Sequence, residues 1–181
     1  MREADIWVHW WAFAWRDACP GWHGADDVAP ALARNRHAQV GKLFAIAPCL
    51  PCAPSTSLLY LARAKPWQYD SMLQLIDSIC RPSLPTQLEP TQRLWAQRLA
   101  RALRPQGWLE QSADALQLLR AWVEPPVWQR LRLRFAPARV IALEQEPVLA
   151  IPASRLEVLW RAVVWYERTL EAHENAVTAH D

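Results

Sequence analysis

The chain has 181 residues, 52% of them hydrophobic and 21% charged; these values place it with ordered proteins of single-domain size and exclude a disordered tail. A formal net charge of +2 argues against a nucleic-acid protein, and four glycines argue against a Gly-rich phosphate loop. Fifteen prolines point instead to short helices parted by prolyl corners, and twelve tryptophans against three phenylalanines and three tyrosines make the largest apolar side chains nearly all indoles.

The first helix is expected from Ala4 to Arg16, because Trp7, Trp10, Trp11, Ala14 and Trp15 recur at i, i+3, i+4, i+7 and i+8 along one stripe. Trp7 and Trp11 on that stripe are candidates for a core wall or a docking face. Cys19-Pro20-Gly21 ends the helix in a turn. Asp26 or Asp27 caps the next one, with Pro30 in its first turn, and it runs past Leu32, Val40 and Leu43 to about Ala47. Pro48, Pro51 and Pro54 then forbid regular structure. Ser55, Thr56 and Ser57 offer caps for a short helix through Leu58, Leu59 and Leu61. Pro66 opens another, whose Met72, Leu75, Ile76 and Ile79 share a face. Residues 81–85 form the best candidate hinge. A helix from Pro90 sets Trp95, Leu99, Ala102 and Leu103 on one side and ends near Arg104, and Ser112 caps the next, which Pro125-Pro126 closes.

From Trp128 the period changes. Arg130-Leu131-Arg132-Leu133-Arg134-Phe135 alternates charge with apolar bulk, as a half-exposed strand does, although a short helix also fits. Residues 140–143 and 148–151 read as two further strands or as extended connectors. Ser154 and Glu157 make a capping box, and Leu156, Leu159, Trp160, Val163, Glu167 and Leu170 continue a last helix that ends before a polar tail at 173–181. The expected fold is mainly α, a compact multi-helix single domain over residues 1–181, with room for a short β-meander before the C-terminal helix.

No catalytic constellation accompanies these elements. His9, His23, His37, His173 and His180 stand beside no serine or cysteine in a nucleophile motif. Cys49-Leu50-Pro51-Cys52 could act as a dithiol, and with Cys19 and His23 it could complete a tetrahedral zinc set; four incidental thiols is the plainer reading. Lys42 and Lys65 are the only lysines, so 18 of the 20 basic residues are arginine. On a strand, Arg130, Arg132 and Arg134 would line one side at intervals of roughly 7 Å, either as a solvated edge or, with Trp128, as a surface for an acidic partner or phosphate. No cofactor is implied. No run of about 18 apolar residues is present and the first residues make a poor export signal, so a cytoplasmic protein without membrane insertion is expected.

The stretch from Ser112 to Pro137 resembles the carboxy-terminal part of the type III secretion proteins of the SctK group, accessory subunits of the sorting platform. The similar features are a helix ending in the acidic-prolyl break Glu124-Pro125-Pro126, then Trp128, then Arg130-Leu131-x-Leu133-Arg134-Phe135, an extended piece and a final helix. Gly41-Lys42-Leu43 running into a leucine-rich turn, Leu58-Leu59-Tyr60-Leu61, and the helix around Trp67 and Met72 follow a similar order, and the tryptophan-rich start most resembles the HrpD branch. The resemblance implies a non-enzymatic adaptor in the cytoplasm of the injectisome, joining the cytoplasmic domain of the SctD-type ring protein to the SctQ-type platform subunit. It transfers no functional residue. A small nucleic-acid- or phosphate-binding module, or a structural zinc or dithiol protein, are the rival readings.

Overall fold

The structure, a computed structural model, describes residues 2–22, 37–83, 85, 87–109 and 113–178. Among them are nine α-helices, three 3-10 turns and no strand. Contacts divide the chain into two compact units, each discontinuous in sequence: residues 1–62 with 123–148, and residues 63–122 with 149–181.

The first unit opens with α1, Glu3–Phe13, which tightens into a 3-10 turn at Ala14–Asp17. Its stripe is buried as the spacing predicts: Trp7, Trp10, Trp11, Ala14 and Trp15 all lie inside, and the first three indoles pack on one another with centroids 4.9–6.5 Å apart. The described part of α2 spans His37–Leu43 and stops short of Ala47. The chain turns there through Ala45 at a positive φ of 49°. Ala45 N–H donates to the Lys42 carbonyl at 3.0 Å and Ile46 N–H to that of Gly41 at 2.8 Å, the paired bonds of a Schellman ending, here without the usual glycine. The caps expected at Asp26 or Asp27 and at Ser112 lie outside the described residues. After the prolyl loop, Ser55 Oγ accepts the Leu58 N–H at 3.2 Å and caps α3, Thr56–Arg63.

The segment expected as strands is helical. Pro125 and Pro126 begin α7, Pro125–Leu131, instead of only closing the helix before it, and a 3-10 turn at Arg132–Arg134 follows. Proline costs nothing in a first turn, where its missing N–H has no partner to lose. The alternation of arginine and leucine misled because it is not an inside-outside pattern: Arg130, Leu131, Arg132 and Leu133 are all buried. Residues 140–143 belong to α8, Pro137–Gln145, also begun by a proline. Residues 148–151 are neither strand nor helix, and a tight turn there has Ile151 N–H donating to the Leu149 carbonyl at 3.0 Å. Trp15, Val40, Phe44 and Leu133 form a buried cluster against which Phe13, Ala18, Trp22 and Ile46 pack.

The second unit holds α4, Pro66–Cys80, α5, Pro90–Leu103, α6, Ala115–Trp122, and α9, Ala153–Thr178. Helix α4 packs against the other three. Its predicted face of Met72, Leu75, Ile76 and Ile79 is fully buried, with Leu116, Leu119, Leu156, Leu159 and Trp160 also inside. On α5 the face is weaker than expected, since only Ala96 is fully buried and Ala102 is exposed. Asp114 caps α6 in a reciprocal pair, its Oδ1 accepting the Gln117 N–H at 2.8 Å while its own N–H donates to Gln117 Oε1 at 2.9 Å. The capping box expected at Ser154 is not formed. Helix α9 starts at Ala153, the Pro152 carbonyl accepts the Arg155 N–H at 2.9 Å, and Glu157 instead accepts the Trp122 indole N–H at 2.8 Å. The helix also continues past His173 to Thr178. Trp122 and Trp160 stack at 5.4 Å, and Trp95 stacks on Tyr166 at 4.2 Å.

Candidate interaction surface

The three arginines do not form a row. In a helical segment, residues two apart point about 200° apart, and each guanidinium reaches a different target within the first unit. Arg130, only 4% exposed, donates from Nε to the Trp11 carbonyl at 2.9 Å and from Nη1 to that of Pro126 at 2.8 Å. It lies 3.9 Å from the Trp11 ring centroid, with Cys49 Sγ 3.8 Å from Nη1. Burial pushes its pKa below the ordinary arginine value, but two carbonyls and an indole face stand in for lost water. Arg132, 9% exposed, places Nη1 at 2.9 and 2.8 Å from the two carboxylate oxygens of Glu144. Its Nη2 donates to the Phe44 carbonyl at 2.9 Å and to that of Ala45 at 3.3 Å. It thereby satisfies carbonyls orphaned at the end of α2, where a cation is also favoured by the helix dipole. Arg134 pairs with Asp17 at 2.9 Å.

The three candidate tryptophans are equally committed. Trp7 Nε1 donates to the Cys52 carbonyl at 2.7 Å and Trp11 Nε1 to that of Cys49 at 3.1 Å. Two indoles one helical turn apart therefore hold the prolyl loop onto α1. Trp128 Nε1 donates to Glu144 Oε1 at 2.8 Å, the carboxylate that Arg132 also holds. The segment from Trp128 to Arg134 thus presents neither the solvated edge nor the partner surface expected of a strand, and Trp7 and Trp11 take the core-wall alternative: these side chains tie α1, the end of α2, the prolyl loop, α7 and α8 together. Sequence could not reveal this, because the carbonyls they satisfy carry no sequence signature.

Cys49 and Cys52 are exposed, Cys19 is half-buried and Cys80 buried, all as free thiols. His23 lies outside the described residues, and among those described no three potential ligands gather as a metal would need. Burial, reinforced by Asp77, pushes the Cys80 thiol up to about 12. Because the thiolate is the reactive form, an aromatic disulfide reagent at pH 8 is expected to label Cys49 and Cys52 rapidly and Cys80 only after unfolding in denaturant. Labelling of Cys80 in the native protein, read by peptide mass spectrometry, would contradict its placement.

What remains free lies elsewhere. On α9 the inward face is Leu156, Leu159, Trp160, Val163 and Glu167, while Val158 and Trp165 point outward, 42% and 60% exposed, with Arg161 and Arg168 exposed beside them. The apolar spacing of α9 marks the inward residues and leaves Trp165 outside the stripe. The available signal was its angle, since at 100° per residue it falls opposite the apolar stripe. Leu50 in the prolyl loop, 91% exposed, is the most exposed of the nine large apolar side chains that face outward among the described residues, with Leu43 and Trp67 also in that set.

No protein-family model, no curated protein and no solved structure matches this chain. Among the described residues, no helix is long and apolar enough to cross a membrane.

Proposed function

We propose that the protein is a non-enzymatic structural adaptor of the cytoplasmic sorting platform of a bacterial type III secretion system, linking the SctD-type ring protein to the SctQ-type platform subunit. It acts at the cytoplasmic face of the inner membrane, held there through the apparatus and not by insertion. The observation that carries this reading is the resemblance of residues 112–137 to the SctK group, taken with the work those residues do. Trp128, Arg130 and Arg132 bind helix ends and a loop into one unit, and a pattern made of fold-holding residues speaks to kinship in fold. Exposed Trp165 and Leu50 supply apolar surface of the kind that protein partners cover. Use of the three arginines as phosphate ligands would first require breaking their internal hydrogen bonds, which weighs against the nucleic-acid alternative.

The test is affinity purification of the tagged chain from its native host. SctQ-type and SctD-type proteins are expected to co-purify in near-stoichiometric amount. Recovery of the folded chain with neither would overturn the adaptor reading.

A further inference from the structure

The outward face of α9 is a straight stripe. Ser154, Val158, Arg161, Trp165, Arg168 and Ala172 fall within about 40° of one line at 100° per residue, and all six are exposed. Its apolar members, Val158 and Trp165, are two turns apart, roughly 10 Å along the axis, the repeat at which a facing helix presents successive apolar residues. Its charge is of one sign. Every ionisable side chain that α9 exposes between residues 153 and 173 is arginine or histidine. The acids of that stretch are less exposed: Glu157 is half-buried and accepts from Trp122, Glu167 is buried and accepts from Ser71, and Glu171 is half-buried. Tryptophan and arginine are also the residue types that most often dominate binding energy at protein interfaces.

We infer that this stripe is the docking site for an acidic amphipathic helix of a protein partner, which seats apolar side chains on Trp165 and Val158 and sets carboxylates against Arg161 and Arg168. The inference rests on the adaptor reading only in taking the occupant to be a protein. A second copy of this chain fits poorly, because pairing α9 with itself opposes arginine to arginine. Two apolar side chains on one stripe are also fewer than an interfacial membrane helix buries.

The experiment is photo-crosslinking in the native host, with a photoreactive phenylalanine placed at position 165 in one full-length variant and at 172 in another. Crosslinked peptides are identified by mass spectrometry, and the expected partner segment is helical, with glutamate or aspartate flanking an apolar stripe. The double reversal Arg161→Glu with Arg168→Glu should lower the crosslink yield about tenfold or more while leaving thermal unfolding unchanged. Crosslinks from neither position, crosslinks to a basic segment, to a second copy, to lipid or to nucleic acid, or a yield unaffected by the double reversal would each overturn the inference. The two readings fail separately. An acidic segment from a protein outside the secretion apparatus upholds the stripe and removes the adaptor role, whereas platform proteins that co-purify without contact at 165 or 172 do the reverse.

Discussion

Reversing Arg130, Arg132 and Arg134 together to glutamate is expected to unfold the unit made of residues 1–62 and 123–148. Exposed charge changes usually stay within about 0.5 kcal/mol each, and a solvated row would have obeyed that rule. Here two of the three guanidiniums are buried among carbonyls. Each carbonyl left without a donor costs about 1–3 kcal/mol, and a carboxylate put in place of a buried guanidinium faces acceptors with no donor to pair it. Glutamate at position 132 would further oppose Glu144. The sum matches or exceeds the stability of an ordinary domain, about 5–15 kcal/mol. The contributions are unequal. The Arg134 side chain is only 10% exposed but its partner Asp17 is 58% exposed, so the pair is partly screened and Arg134→Met should cost about 1–2 kcal/mol. For Arg132→Met the expected loss is about 3 kcal/mol, since Glu144 keeps some water but the Phe44 and Ala45 carbonyls lose their donor. Urea unfolding followed by tryptophan fluorescence distinguishes these outcomes, with the double reversal of Arg161 and Arg168 on α9 as an exposed control. A triple variant that keeps the wild-type midpoint would show that the buried contacts contribute little.

The second large effect is expected from deleting the first 18 residues. This removes four buried tryptophans, Trp7, Trp10, Trp11 and Trp15, and truncating a single buried tryptophan already costs about 3–5 kcal/mol. The deletion also strips the Cys49 and Cys52 carbonyls of their indole donors and Arg130 of both the Trp11 carbonyl and the Trp11 ring. The truncated chain should aggregate, or lose cooperative unfolding in its first unit. Trp11→Phe makes the milder companion. It keeps an aromatic face for Arg130 but removes the N–H, and should cost about 1–2 kcal/mol. If the truncated chain melts where the full-length protein does and fails only in binding, α1 is a docking face and its indoles are not a core wall.

Element by element, the helices were legible wherever a local signal decided them. The stripe from Trp7 to Trp15, the face of Met72, Leu75, Ile76 and Ile79, and the prolines at 66 and 90 each act within a few residues. Such signals survive any tertiary arrangement. The segment 130–135 was illegible because its alternation suits two structures equally well. What chose the helix was the prolyl start at Pro125-Pro126 together with carbonyls supplied from Trp11, Phe44 and Ala45, which are 87 to 119 residues away in the chain. The same reason explains Ser154 and Glu157. As a local pair they spell a cap, yet the Trp122 indole, 35 residues distant, takes the carboxylate.

By itself, then, the sequence determined a helical chain with prolyl breaks and a tryptophan stripe along its first helix, because propensity, proline geometry and apolar spacing are properties of neighbours. Only the tertiary structure decided which arginines and tryptophans remain available. Arg130 and Arg132 find backbone acceptors inside and become part of the framework, while Arg161 and Arg168 on α9 stay in solvent beside Trp165. The residue types are the same in both places. What separates them is whether distant chain brings carbonyls close enough to replace water around a charge, and no local pattern encodes that.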